Sequence, residues 1–493
     1  MEIQFKSRET EVYREIFFHT KRTQENAECV VPDTEADIEK LAAVQSEVLL
    51  KSKDFTGRGV LVTGEVSAAV LYIREGQAGL AVLRVRKPFS IEFETDEAEG
   101  EAQVGLFIQG TDVRMVNPRK ISAAFEIEAS LAICRSDSIK TETAAEDEGI
   151  FTLSETETLA LPNAMTEKSF AVNEQFAFPA DQPKPEKLLT ERAELLVTDC
   201  QTIGSKLILK GTAEFSVCYL PADSAEPVQT RFSAPFSQIV DVGTDGVCDM
   251  VRRVEFTGAY FDLIDGINGE KLLDAEVHAV AQLLCSGLVT VQRITDAYSN
   301  RMPVELMTET LSCPGFRPMQ TFSFSGAEQV ALNEDCGELL CVFPTLSRIT
   351  REEGRLGTAV NLDLLYRSRE GVLNAVRRTV SVGGDTGGGE LRLLSARVVK
   401  LDTRAEGQTV DCRVEVAFTC CAVEQMERSV VTGLVLDEEA AYRDGDFPTL
   451  TLARSDGESL WSLAKRYHSS EQLIRVWNAE PDSGRMLLIP KCM

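Results

Sequence analysis

The sequence predicts a multidomain, mainly β chain: three tandem antiparallel β domains, sandwich or barrel-like, followed by a small βααβ domain. Three observations predict it. A set of residues repeats at one constant offset, apolar residues inside each copy alternate with period two, and the last 47 residues change to helical spacing.

The repeat is checked by subtraction. Pro32, Glu39, Lys40, Leu41, Glu47, Gly64, Tyr72 and Pro88-Phe89-Ser90 are matched by Pro179, Glu186, Lys187, Leu188, Glu194, Gly211, Tyr219 and Pro235-Phe236-Ser237, each 147 positions later. The period is far longer than the roughly 20 to 50 residues of a solenoid repeat, so each unit is expected to fold as a domain. Lys21 and Asn26 match Lys168 and Asn173 at the same offset, which favours residues 1–28 completing the first copy over their forming a separate arm. A third, diverged copy is anchored by Gly357 and Tyr366, with a one-residue slip of the kind a bulge produces. The expected domains are 1–137, 150–295, 315–435 and 447–493.

Within the copies, Val66, Ala68, Val70 and Tyr72 alternate with smaller or more polar residues, as do Ala213, Phe215, Val217 and Tyr219, and then Val360, Leu362, Leu364 and Tyr366. Each copy closes on a longer alternating run, from Ile121 to Leu131, from Ala275 to Leu283 and from Val410 to Phe418. The parity points Cys412 and Cys420 inward and Cys421 the other way, and leaves His278 on the polar side as an incidental surface residue. The Gly-rich stretch Gly383 to Glu390 lacks the Lys-Ser/Thr of a phosphate loop and is expected to be a hairpin connection. Two acidic tracts, Glu142 to Glu148 and Asp437 to Asp446, read as solvated linkers.

In the tail, Thr449 to Leu452 forms a short strand pattern and Ser455-Asp456-Gly457 a turn. Leu460, Leu463, Ala464 and Tyr467 then recur at helical spacing. Ser469 and Gln472 have the spacing of a capping box, Leu473, Ile474 and Trp477 supply an apolar face, and Asn478 ends the second helix. Leu487 to Ile489 closes the tail as a strand. Trp461 and Trp477 are expected to pack the core of so small a domain.

This order, with Asp456 to Ala464 at the first helix and Leu488-Ile489-Pro490 at the end, resembles a LysM domain. The resemblance implies a shallow groove, usually used for N-acetylglucosamine polymers, whose candidates are Gly457, Glu458, Ser459, Leu460, Asn478, Ala479 and Glu480. Two departures bear on it: Glu458 stands where the family usually has Asp, and the stretch from Glu480 to Arg485 is short.

Composition narrows the function. A net charge of −27 argues against nucleic acid, whose phosphates are bound by clustered Lys and Arg. From Phe447 onward six basic residues face five acidic ones, so the tail carries +1 and the body −28. The charged start has no signal-peptide core, and no run reaches the roughly 18 apolar residues that span a bilayer. Thirteen scattered cysteines without a CxxC pair favour neither zinc nor a disulfide framework, so a reducing cytosol is expected. With three histidines and no Ser-His-Asp, Cys-His or paired-carboxylate arrangement, no catalytic residue, metal or cofactor is expected.

Duplicated β units, with Val31-Pro32-Asp33 leading into Ile38-Glu39-Lys40-Leu41 and one C-terminal LysM, resemble the clostridial spore-coat morphogenesis family that joins DUF3794 repeats to LysM. That resemblance implies a non-catalytic protein of the mother-cell cytosol, placed at the outer forespore membrane by binding the coat's ATP-hydrolysing scaffold protein through LysM. A chain without an export signal does not meet wall glycan from the cytosol, so a protein ligand is expected and a peptidoglycan fragment is the alternative. Candidate partner contacts are Trp461, Tyr467 and Trp477 where exposed, with Lys465, Arg466 and Arg475 meeting an acidic surface.

Overall fold

The computed structural model describes all residues except 1–2, 98, 148, 353, 444, 455–456, 480, 482–485 and 493. Strands make up 77% of the chain and helices 3%, so the protein is mainly β. The first six strands are β1 (Phe5–Val30), β2 (Ile38–Thr56), β3 (Gly59–Arg74), β4 (Leu80–Glu94), β5 (Glu101–Asn117) and β6 (Lys120–Ala145). They form two antiparallel three-stranded sheets, ordered β1-β6-β5 and β2-β3-β4. The same pattern recurs twice. It is built next by β7 (Ile150–Ala177), β8 (Pro185–Ile203), β9 (Lys206–Pro221), β10 (Val228–Asp241), β11 (Val247–Asp265) and β12 (Lys271–Ser299). It is then built by β13 (Val304–Ala331), β14 (Cys336–Glu352), β15 (Arg355–Ser368), β16 (Leu373–Asp385), β17 (Arg392–Glu406) and β18 (Thr409–Leu436).

The recurring residues have recurring jobs. Gly64 of β3 pairs with Phe89 of β4, and a Cβ on Gly64 would lie 2.3 Å from that ring. Gly211 and Phe236 repeat the pair, at 2.6 Å. The glycine leaves room for the ring to lie across the strand, so the two residues recur together. In the third repeat Gly357 pairs with Gly383 instead, and the ring of Phe324 lies over Gly384. Tyr72 and Tyr219 are fully buried, and each donates its hydroxyl to a carbonyl at matching positions, Ala36 and Pro183.

Inside each repeat the two sheets face each other across an apolar core, which in the first repeat joins Val62, Val66, Val70 and Phe93 to Phe125 and Ile127. Burying each such side chain contributes about 1.5 to 3 kcal/mol. The outer faces of these sheets are not left to water. Leu71, Cys218 and Leu365, one from each repeat and set on the far side of β3, β9 and β15, meet in a single buried cluster with Phe343. Further layers follow along the long paired strands β1–β6, β7–β12 and β13–β18: Cys134 with Leu284 and Cys421, then Val12 with Leu159 and Cys313, then Ile3 with Ile150 and Val431. Each layer takes side chains from all three repeats.

Several expectations change here. Cys421 does turn away from its sheet's own core, but into the layer between repeats, where it is buried. The stretch from Thr386 to Leu391 is no hairpin: it carries the chain from β16 in one sheet to β17 in another. Glu142 lies within β6, and Asp147 accepts from Gly149 N–H at 2.7 Å, so that acidic tract is a tight strand-to-strand turn. Glu148 and Asp444 fall outside the described residues.

Candidate functional site

After β18 the described residues form no strand or helix before β19 (Leu450–Arg454), which is followed by α1 (Leu460–Arg466), α2 (Glu471–Trp477) and β20 (Met486–Pro490). The approach is anchored. Tyr442 N–H donates to the Arg301 carbonyl at 2.8 Å, and the rings of Tyr442 and Phe447 pack against His468. Burial, with the nearby Lys491 charge, pushes the His468 pKa down.

Helix α1 starts at Ser459, whose hydroxyl accepts from Ser462 N–H at 3.2 Å. Its buried residues are Leu460, Trp461, Leu463 and Ala464. Trp461 is buried by the body rather than by the tail alone. Its indole N–H donates to Asp296 Oδ2 at 2.7 Å, and its ring meets Tyr298 edge-on at 4.8 Å. Lys465 donates to Asp296 Oδ1 at 2.6 Å, and Tyr298 donates to the Ser469 carbonyl at 2.8 Å. Burial raises the Asp296 pKa, but the hydrogen bonds from Lys465 and Trp461 and the Lys465 charge outweigh it and hold the carboxyl below its ordinary range. Tyr298, itself stacked on Phe151, has its hydroxyl pKa pushed up by burial.

Two candidate contacts, Trp461 and Lys465, are therefore spent on the chain's own β12, and a third, Arg466, pairs with Glu458 at 2.8 Å. The basic surface expected to meet an acidic partner is largely neutralised. Tyr467 is half-buried against the tail core, and Arg475 is exposed.

Helix α2 is capped by Ser470, which accepts from Leu473 N–H at 3.1 Å, and not by Ser469, whose hydroxyl donates inward to the Pro490 carbonyl. The adjacent serine wins because Ser469 is fully buried beneath the closing strand. The expected apolar face of α2 reduces to Ile474: Trp477 is 52% exposed and Val476 79%. Both lie where solvent reaches them.

The groove candidates divide in the same way. Gly457, with φ at +85°, and Ala479 are exposed, and Leu460 is buried. Ser459 serves as a cap. Asn478 donates to the carbonyls of Ile474 at 2.8 Å and Leu488 at 2.7 Å and accepts from Leu488 N–H at 2.9 Å, so its amide stitches α2 to β20. Glu480 lies outside the described residues.

A surface that the sequence reading overlooked is the outer face of the β19–β20 pair. Leu452 pairs with Leu488 and Arg454 with Met486, and Leu450, Leu452, Met486 and Leu488 are all exposed, while Ala453, Leu487 and Ile489 fill the inner face. The signal was present: Leu450 and Leu452 alternate out of phase with Ala453, so the strand is apolar on both sides. Among the described residues no helix is long and apolar enough to cross a membrane. Compared with protein-family models, curated proteins and solved structures, the chain matches none of them.

Proposed function

We propose that the chain is a non-catalytic adaptor of spore-coat assembly, acting in the mother-cell cytosol at the outer forespore membrane. In this reading it binds a coat scaffold protein through its C-terminal, LysM-like tail. The observation that carries it is that the tail holds the body through some residues and leaves others free. Trp461 and Lys465 bond to Asp296, while Trp477 and Val476 of α2 and the outer leucines of β19 and β20 are exposed to solvent. Exposed aromatic and aliphatic side chains gathered on one small module are what a protein interface uses as anchors. Asp296 fixes the tail, and with it these exposed residues, relative to the body.

The rival reading, a binder of peptidoglycan or N-acetylglucosamine polymers, has less support from the groove residues, because Ser459 and Asn478 are engaged within the tail. Retention of the full chain on insoluble peptidoglycan, run beside capture from sporulating-cell lysate, separates the two. The adaptor reading expects a discrete protein partner and weak glycan retention. Strong glycan retention without a protein partner overturns it.

A further inference from the structure

Lys53, on β2 of the first repeat, reaches into the second. Its Nζ donates to Gln282 Oε1 at 3.1 Å and to the Ala102 carbonyl, and it pairs with Glu167 Oε2 at 2.6 Å. Glu167 of β7 and Gln282 of β12 are register partners, so both side chains leave the sheet on one face. Gln282 is buried, and its amide is held in one orientation: Oε1 accepts from Val104 N–H at 2.9 Å, and Nε2 donates to Val104 C=O at 2.8 Å. Counted from the bulge that recurs in β5, β11 and β17, the matching pairs of the other repeats are Ser130 with Thr20 and Thr419 with Thr321. Neither pair carries an amide or a carboxylate.

An amine in contact with both an amide and a carboxylate has the parts of an amide exchange. The amine is the nucleophile, the carboxylate takes its proton, and a backbone N–H already on the carbonyl oxygen meets the charge that develops there. We propose that Lys53 and Gln282 join in an isopeptide bond that ties the first repeat to the second. Glu167 takes one proton from the Lys53 ammonium, the neutral amine attacks Gln282 Cδ, and Val104 N–H holds the oxyanion. A second proton then passes from Nζ to Nε2 and the Cδ–Nε2 bond breaks. Ammonia leaves with the proton that Glu167 held, so the carboxylate is restored and no oxidant or cofactor is consumed. Packing of the two repeats supplies the proximity that aminolysis in solution lacks. Glu167 is half-exposed and gives the ammonium a way out to water. The cross-link does not depend on what the tail binds.

The test weighs the purified full-length chain intact and then maps its tryptic peptides. The expected mass is lower than that of the sequence by one ammonia, with a branched peptide joining Lys53 to Gln282 and no cleavage after Lys53. Glu167→Gln, checked for native fold by circular dichroism, still accepts a hydrogen bond from Lys53 but takes no proton, and is expected to form the branch about a hundredfold more slowly. Lys53→Met is expected to show no branch. A wild-type chain of full mass with no branched peptide overturns the proposal. Loss of one ammonia with trypsin still cutting after Lys53 overturns it as well, since the ammonia then came from elsewhere. A branch formed equally fast in Glu167→Gln overturns the part given to the carboxylate.

Discussion

Arg253 passes so close to Gly105 that a methyl group on the glycine would lie 1.0 Å from the arginine Nη1. Gly105 belongs to the first repeat and Arg253 to the second, and the guanidinium goes on to donate to Leu393 C=O of the third at 3.0 Å and to Ser130 Oγ of the first at 3.2 Å. A single buried side chain touches all three repeats. The glycine is required here for space, since its φ lies outside the left-handed region.

Gly105→Ala is accordingly expected to expel the guanidinium and leave it without its carbonyl and hydroxyl acceptors. Breaking a buried, charged contact in this way costs about 3 kcal/mol. The urea midpoint of the full chain should fall by a matching amount with its slope unchanged. A midpoint equal to that of the wild type would show that the passage is not needed.

Glu255 supplies a pH test of the same region. It is buried 3.9 Å from Arg253 and accepts from Leu106 N–H, and burial pushes its pKa up to about 7 despite the arginine. A carboxyl whose folded pKa lies above its unfolded value contributes stability below the unfolded value that is lost as pH rises through the folded one. Between about pH 4.5 and 7 the wild type should therefore lose up to about 3 kcal/mol relative to Glu255→Gln. Denaturation at a series of pH values checks this, and parallel profiles for the two proteins would contradict it.

How much of this was legible in the sequence can be argued from neighbouring residues. Val70 and Tyr72 follow a period of two, and both are buried where that period places them. Leu71 between them is equally buried, because its face of the sheet is covered by the other repeats. The unbroken run from Ala68 to Ile73 carried that signal, since a strand apolar on both faces is covered on both. Which distant residue covers it was not legible. Helical spacing likewise identified the buried side of α1, but Trp461 meets Asp296, 165 positions earlier, through packing that no local pattern records. In α2 the spacing misled: Ile474 alone is buried there, whereas α1, of the same length, buries four residues because the body covers Trp461 as well.

The attachment of the tail has its own prediction. Asp296→Ala removes the acceptor shared by Trp461 and Lys465, and Tyr298→Phe removes the bond to Ser469, at about 1 kcal/mol for the second. The doubly substituted chain should be cut by trypsin at Arg443 faster than the wild type. Because the Asp296 pKa is depressed, its contribution persists at neutral pH and is lost as pH falls through that lowered value. Equal cleavage rates would mean that the tail is held by something else.

Asp363 ties the third repeat to the first. It is buried, receives two bonds from Arg377, and accepts from Val44 N–H at 2.9 Å. Asp363→Ala should cost about 3 kcal/mol, since it leaves both an arginine and a buried amide unmatched. Amide exchange at Val44 should accelerate with it. A slow Val44 amide in the variant would remove this link from the account.

The most direct measurement is acrylamide quenching of the two single-tryptophan variants, Trp461→Phe and Trp477→Phe, alone and with the captured protein bound. Trp477 should quench readily in the free chain and become protected in the complex, with Trp461 shielded in both states. A Trp477 that quenches as readily in the complex as alone would contradict the claim that this side of the tail holds the partner.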